Sequence, residues 1–425
     1  MPLKSIDSRI YLKTIFFLLL TLSLIQSPFA SDPPSVSPYG IHTHITRNDE
    51  HPFLDRELEL MQQAGIQWLR TGFVWGQILQ GRDQMNYANH DEVVAKANKA
   101  NINIMGLLHG APRHAEPVIE HLAEWKAFVR ETVSRYKGRV PAWQVWNEPN
   151  LKSFWKNPNP EHYGTLLKET YPIIKQIDPD ALVVWGATSQ LDWPFLSSAL
   201  KQAQGHFDVM AIHPYGYGDP RAPEAYIPGC LHDLRKLMSH YNVEEKPIWF
   251  TEWGWPSHTG RRGMSDRQQG QYIARAYMMA MHNGLERGFW YEFQERKETD
   301  EENEDAFGIL EHSLKPKPAY KAYSTLIETI PAGSKPISKP WKDGLIYYPA
   351  WTRPDGAAVH AVWVIWNRWQ SPRMAPIHFE GDLIEAHDYL GQKVELKRDA
   401  KGKTTLPLDW GSPIYLIGPT EIEFE

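Results

Sequence analysis

Two glutamates stand out by their neighbours. Glu148 sits in Trp146-Asn147-Glu148-Pro149-Asn150, and Glu252 in Thr251-Glu252-Trp253-Gly254. Each closes an apolar, strand-like run and stands among aromatic residues. A carboxyl group in such surroundings is costly to desolvate, so a matched pair there points to chemistry. Glycosidic-bond cleavage needs such a pair: one carboxylic acid protonates the leaving oxygen and one carboxylate attacks the anomeric carbon. Retaining enzymes hold the two about 5–5.5 Å apart. The roles call for opposite environments. Glu148 is read as acid/base, its protonated form favoured by desolvation against Trp146 and Trp155 and by a nearby ionised carboxylate. Glu252 is read as the nucleophile and must stay ionised. Arg70 could supply positive charge and Tyr215 a hydrogen bond to keep it so.

A second constellation is His42-Thr43-His44, two imidazoles on one face of a strand. Barrel metal hydrolases begin a zinc site in this way, but they add histidines or a carboxylated lysine from the middle strands and an aspartate from the last. Here the fourth strand offers Asn147 and Glu148, the fifth nothing, and the eighth no aspartate. No metal and no cofactor is therefore expected, and His44 is read as a sugar-contacting residue. Trp155, Trp193, Trp253 and Trp255 each follow a strand and are candidate stacking platforms, at least two of them expected to be accessible in a groove. The acidic run 295–305, just after the last strand, reads as a solvated loop, with a cation site or a wall favouring neutral or basic sugars as the alternative and Arg261 and Arg262 as an opposing basic patch.

These residues need elements to carry them. Near-continuous apolar runs at 39–44, 68–75, 102–109, 143–148, 181–188, 207–213, 247–253 and 287–294 predict parallel strands buried on both faces. Helical periodicity separates them at 54–64, 91–100, 121–136, 161–177 and 266–282. The first of these stops at Gly65, and Ser265 with Gln268 makes a helix start. Alternation of this kind predicts a (β/α)8 barrel over 39–330, with reactive residues where strands pass into βα loops. A doubly wound sheet is the rival, but no glycine-rich phosphate loop follows the first strand. Residues 331–339 read as a linker. Beyond it, 340–425 holds short β-rich segments divided by turn signals, which predicts a small sandwich-like antiparallel β domain bracing the barrel.

A chain of 425 residues has room for a barrel of about 250 residues and a smaller companion. The net charge of −6, without a basic block, gives no electrostatic case for nucleic acid. Beside 19 tyrosines, the 18 tryptophans are well above ordinary usage, an excess that bulky barrel core and sugar platforms would share. The single cysteine, Cys230, excludes an intramolecular disulfide. At the N-terminus, Lys4, Arg9 and Lys13 precede the apolar run 14–25. That run is shorter than the ~20 residues of a membrane-spanning helix, so 1–30 reads as a signal peptide, with an uncleaved anchor as the alternative, and 31–38 as a linker. An exported, periplasmic or secreted monomer is expected.

The motifs resemble a known group. WNEPN at 146–150 and TEWGW at 251–255 are similar to the two signatures of clan A glycoside hydrolases. The resemblance extends through 159–181, through IHPYG at 212–216 and through 307–326, and so covers about 39–330. Within the clan, family thirty-nine fits best, near the bacterial endoglycosidases that degrade exopolysaccharides. The resemblance implies Glu148 as acid/base and Glu252 as nucleophile. It implies a substrate-binding set in which Asn147 holds the sugar 2-hydroxyl, Arg70 lies beneath the nucleophile and Tyr215 contacts it. His213 shares a strand face with Tyr215, and Trp290 would be the aromatic floor under the reacting sugar, unless Tyr291 faces inward instead. Trp155 and His44, read from their own positions after strands, are added to the substrate-binding candidates. The implied substrate is an extracellular or cell-envelope polysaccharide cut internally, with exo-acting xylosidase- or iduronidase-like action, or glycan binding without cleavage, as alternatives.

Overall fold

The computed structural model describes residues 36–46, 53–81, 84–216, 223–260, 263–297, 303–337, 342–365, 377–380, 385–398, 400, 404–418 and 423–424. The expected signal segment, and Arg261 and Arg262, lie outside them. Among the described residues no helix is long and apolar enough to cross a membrane.

Eight strand positions form the ring: β1 (Tyr39–His42), β2 (Trp68–Val74), β3 (Asn103–His109), β4 (Ala142–Val145), β5 (Leu182–Val184), β6 (Met210–His213), β7 (Ile248–Trp253) and β8 (Arg287–Trp290). Every pairing between neighbours is parallel, and β8 pairs with β1 through Gly288 and Tyr39. Between β5 and β6 the ring closes by a single parallel bridge, Val184 to Val209, and by the two-residue continuation Thr188–Ser189 alongside Ile212 and His213. Helices α1 (Leu54–Gln63), α2 (Ala88–Lys99), α3 (Leu122–Arg135), α4 (Pro160–Ile177), α5 (Trp193–Ala203), α6 (Tyr226–His240), α7 (Asp266–His282) and α8 (Pro318–Thr329) follow the strands in turn. The expected (β/α)8 barrel is the architecture observed.

Local chemistry sets the boundaries. Ser265 accepts from Gln268 N–H while the Gln268 side chain accepts from Ser265 N–H, so α7 opens with a capping box. Gly65, at φ +75°, turns the chain out of α1. At Gly106 in β3 an added Cβ would lie 2.4 Å from the Trp143 ring, so only glycine lets that indole fill the space beside it. Several strands are shorter than the sequence suggests, β4 and β5 for reasons that bear on the site. β4 stops at Val145 because Trp146 and Glu148 take left-handed φ values of 71° and 41°. The run 181–188 is broken because Ala187, at φ 36°, turns its carbonyl onto the Glu148 N–H, 3.1 Å away. Left-handed backbone at non-glycine residues is strained and collects at functional sites.

An antiparallel sheet follows the barrel within one compact unit, Ser35–Glu425. Its centre is β10 (Ala358–Val364), flanked by β9 (Ala350–Thr352) and β12 (Ile414–Gly418), with β11 (Glu385–Asp388) beyond β12. Lys335–Pro336, inside the stretch read as a linker, pairs with Trp351 and Thr352 of β9. The sheet meets α7 through a buried polar knot. Arg275 Nε lies 2.7 Å from Glu224 Oε1, which also accepts from Trp363 Nε1 at 3.0 Å, and Arg275 Nη1 donates to the Gly411 carbonyl.

Candidate active site

Glu148 follows β4 and Glu252 ends within β7, so both stand at the C-terminal mouth of the barrel, where βα loops begin. They face each other. One carboxylate oxygen of each, together with a ring nitrogen of His213, lie within 4.8 Å of one another. Both glutamates line a cavity of about 410 Å³.

Beneath them the barrel interior is polar where an apolar layer is the norm. Arg70 projects from β2 with no solvent exposure and spends its guanidinium on four partners. Nη1 lies 2.5 Å from Glu252 Oε1 and 2.8 Å from His42 Nδ1, Nη2 lies 2.8 Å from Asn147 Oδ1, and Nε lies 2.7 Å from Gln144 Oε1. Tyr215 donates its hydroxyl to the other oxygen of Glu252 at 3.0 Å. Burial alone would raise the Glu252 carboxyl. The His213 ring beside it, the charge of Arg70, and the hydrogen bonds from Tyr215 and Arg70 outweigh burial and hold it at about 2. Burial first, and then Glu252, raise the Tyr215 phenol well above its ordinary value, so its hydroxyl stays a donor.

The sequence-predicted residues therefore fall into two groups. Arg70, Asn147, Tyr215, His44 and the two glutamates converge; Arg70 lies under the cavity and the others line it. His213 converges too, but not as a wall for sugar. It is fully buried, with Nδ1 2.9 Å from Glu148 Oε1 and 3.7 Å from Glu252 Oε2. Trp290 and Trp155 do not reach the cavity. Trp290 points outward between barrel and helices, packed on Trp253, Trp255 and Tyr277 of α7. Alternation along β8 then turns Tyr291 inward, where it stacks on His42 and lines the cavity. Trp155 is wedged between Trp146 and Tyr163 of α4. Trp253 and Trp255 are likewise buried, so of the four expected platforms only Trp193 is exposed, at 36%. Strand-end tryptophans here fill the space between strand and helix, the larger apolar demand.

Other site residues went unread. Phe154, 40% exposed, lines the cavity six residues after Glu148, held by the bond from Trp146 Nε1 to its carbonyl. Of the acidic run, the described residues 295–297 and 303–305 contribute to the cavity wall and its anchoring. Arg296 and Glu304 line the cavity, and Lys317 anchors the stretch by binding Glu295 at 2.6 Å. Behind the wall, buried Glu292 lies 3.0 Å from His44 Nε2 and 3.3 Å from Arg296 Nε. Burial lifts the Glu304 carboxyl, Arg296 draws it back, and Glu292, Glu252 and Glu148 push it up further. Gln144 and Thr251 are fully buried beneath the glutamates. A polar glutamine inside the apolar run AWQVW was the available signal for Gln144; the wall residues gave none, because their positions depend on loop folding.

Residues 35–292 of the sequence match the model of a family, cellulase (glycosyl hydrolase family 5). A beta-xylosidase of Geobacillus stearothermophilus is 36% identical over 63 residues, 13% of this chain and 12% of that protein. A beta-xylosidase of Caldicellulosiruptor saccharolyticus is 29% identical over 145 residues, 31% of this chain and 30% of that one. The chain thus matches less than a third of either relative's length. In fold it is similar to a family 39 glycoside hydrolase from Bacteroides cellulosilyticus WH2, with a TM-score of 0.74 at 22% identity over 90% of this chain and 80% of that one. A GH39 beta-xylosidase from Caulobacter crescentus superposes with a TM-score of 0.65 at 15% identity, over 92% and 98% of the two chains.

Proposed function

The chain belongs to the cellulase family (glycosyl hydrolase family 5), among the clan A glycoside hydrolases, and from that premise we propose that it hydrolyses O-glycosidic bonds by retaining double displacement. Glu252 is the nucleophile and Glu148 the acid/base. The observation that carries this is the carboxyl pair itself, converging within 4.8 Å, with only Glu252 clamped by Arg70. The clamp keeps Glu252 ionised for attack on the anomeric carbon. Glu148 protonates the departing oxygen. In the second step it takes a proton from water, which then releases the sugar from its ester on Glu252. Asn147, oriented by Arg70, offers its amide N–H to the sugar 2-hydroxyl, and Tyr291 forms the floor.

A terminal β-xylose-like unit is the substrate reading we favour. The two beta-xylosidases named above support it, as do Tyr291, Arg296, His44 and Glu304, which together line the cavity. Internal cleavage of an exopolysaccharide, in line with the family thirty-nine resemblance, is the second reading. Phe154, exposed where it lines the cavity, favours it, because it offers apolar surface to further sugars. We propose further that the enzyme is exported as a monomer, by the charge and apolar run of 1–30, and that the β sheet braces the barrel.

Xylo-oligosaccharides and purified exopolysaccharides, with products sized and the first-formed anomer read by NMR, test these readings. Retained configuration is expected. An inverted first product overturns the double displacement, and oligosaccharide products from a polymer overturn the terminal reading in favour of the internal one.

A further inference from the structure

We infer that Gln144 and Thr251 are positioning residues that fix the tautomer of His213, and through it the oxygen of Glu148 that carries the transferable proton. The consequence for catalysis rests on the reading of Glu148 as the acid.

A guanidinium only donates. Arg70 Nε lies 2.7 Å from Gln144 Oε1, so the amide oxygen of Gln144 faces Arg70 and its amide nitrogen faces away. That nitrogen donates to the Trp185 carbonyl at 3.0 Å and to Thr251 Oγ1 at 2.8 Å. Thr251 Oγ1 is thereby an acceptor from Gln144 and still has one proton to place. Among the described residues its other hydrogen-bond partner is His213 Nε2, 3.0 Å away. When the ring is neutral, the hydroxyl proton goes to that nitrogen, which then presents its lone pair. The ring proton then resides on Nδ1, 2.9 Å from Glu148 Oε1.

Arg70, Gln144, Thr251 and His213 are all fully buried, so water does not compete to turn any of them. Reversing the chain would set the Gln144 amide protons against the Arg70 N–H, donor against donor. Arg70 cannot yield, since Glu252, Asn147 and His42 hold its other nitrogens. The clamp on the nucleophile therefore dictates the polarity of every bond up to the acid.

With Oε1 of Glu148 occupied by a donor, a proton on that carboxyl sits on Oε2. The opposite tautomer would turn a lone pair toward Oε1 and draw the acid proton onto the wrong oxygen, away from the leaving group.

The test combines spectroscopy with kinetics. In long-range 1H–15N spectra of histidine-labelled protein, with the His213 signal assigned by its loss in His213→Asn, the wild type should show Nδ1–H. Thr251→Val removes the donor and should release that preference, whereas Thr251→Ser should restore it. Gln144→Glu should protonate Nε2, because the Thr251 hydroxyl would turn to the new carboxylate. A His213 protonated at Nε2 and bare at Nδ1 in the wild type overturns the inference whether or not the protein is active. In kinetics, Thr251→Val should cost about 10- to 100-fold in kcat/KM where the leaving group is a sugar alcohol, and less than about threefold where it is a dinitrophenolate that needs no acid. Equal losses on both overturn the positioning role. A wild type that cleaves neither substrate refutes the proposed function instead, and the spectra still decide the tautomer.

Discussion

Nη1 of Arg70, a side chain with no solvent exposure, lies 2.5 Å from Oε1 of Glu252. The contact joins β2 to β7 across the barrel interior, from strands that are not neighbours in the sheet. Buried pairs are weak as net stabilisers but costly to break. Arg70→Met leaves Glu252, Asn147 and Gln144 without their donor. We expect a loss of about 3–5 kcal/mol in urea unfolding. A variant as stable as the wild type would mean that Glu252 is held by something other than Arg70.

The same contact sets a pH dependence. Glu252 titrates at about 2 in the fold against 4.5 ordinarily. The depressed value stabilises the folded state above pH 4.5, and that stability is lost as pH falls through 2. The shift corresponds to something on the order of 3 kcal/mol. Wild-type unfolding free energy should fall more steeply than that of Glu252→Gln across this window, and parallel curves would refute the linkage.

Chemical rescue separates the two glutamates. Glu252→Gly should be nearly inactive, and azide should restore turnover as the glycosyl azide of inverted configuration. Absence of that product removes Glu252 from the nucleophile role. Glu148→Gln should lose about 10²–10⁴-fold on sugar leaving groups and far less in the first step on dinitrophenyl glycosides. Comparable losses on both would remove Glu148 from the acid role.

The brace can be tested away from the cavity. Arg275→Met strands buried Glu224 and cuts the tie to the Gly411 carbonyl. A loss of about 3–5 kcal/mol is expected, with the calorimetric transition splitting as the sheet uncouples from α7. A single transition at the wild-type temperature would show that the knot does not couple them.

How much of this could be read without coordinates differs by residue. The barrel was legible because parallel strands covered by helices must be apolar on both faces, and that leaves an unmistakable rhythm. Glu148 and Glu252 were legible because a carboxyl closing such a strand is out of place unless used. Arg70 and Tyr215 followed from the need to keep one of the pair ionised. Trp290 and Trp155 misled because period-two alternation and helix packing, not residue type, decide which side of a strand a tryptophan occupies. Wall residues such as Arg296, Glu304 and Phe154 sit on loops, whose paths local sequence does not fix.

The order of strands, the polarity of their ends and the placing of two glutamates where strands end were thus determined by the chain's own pattern of apolar and ionisable residues. Tertiary structure alone decided which atoms meet. Burial in the ring brings Arg70, Gln144, Thr251 and His213 into a line of bonds among residues distant in sequence. The direction of each bond there depends on the donor before it, a property of the assembled interior rather than of any residue in it.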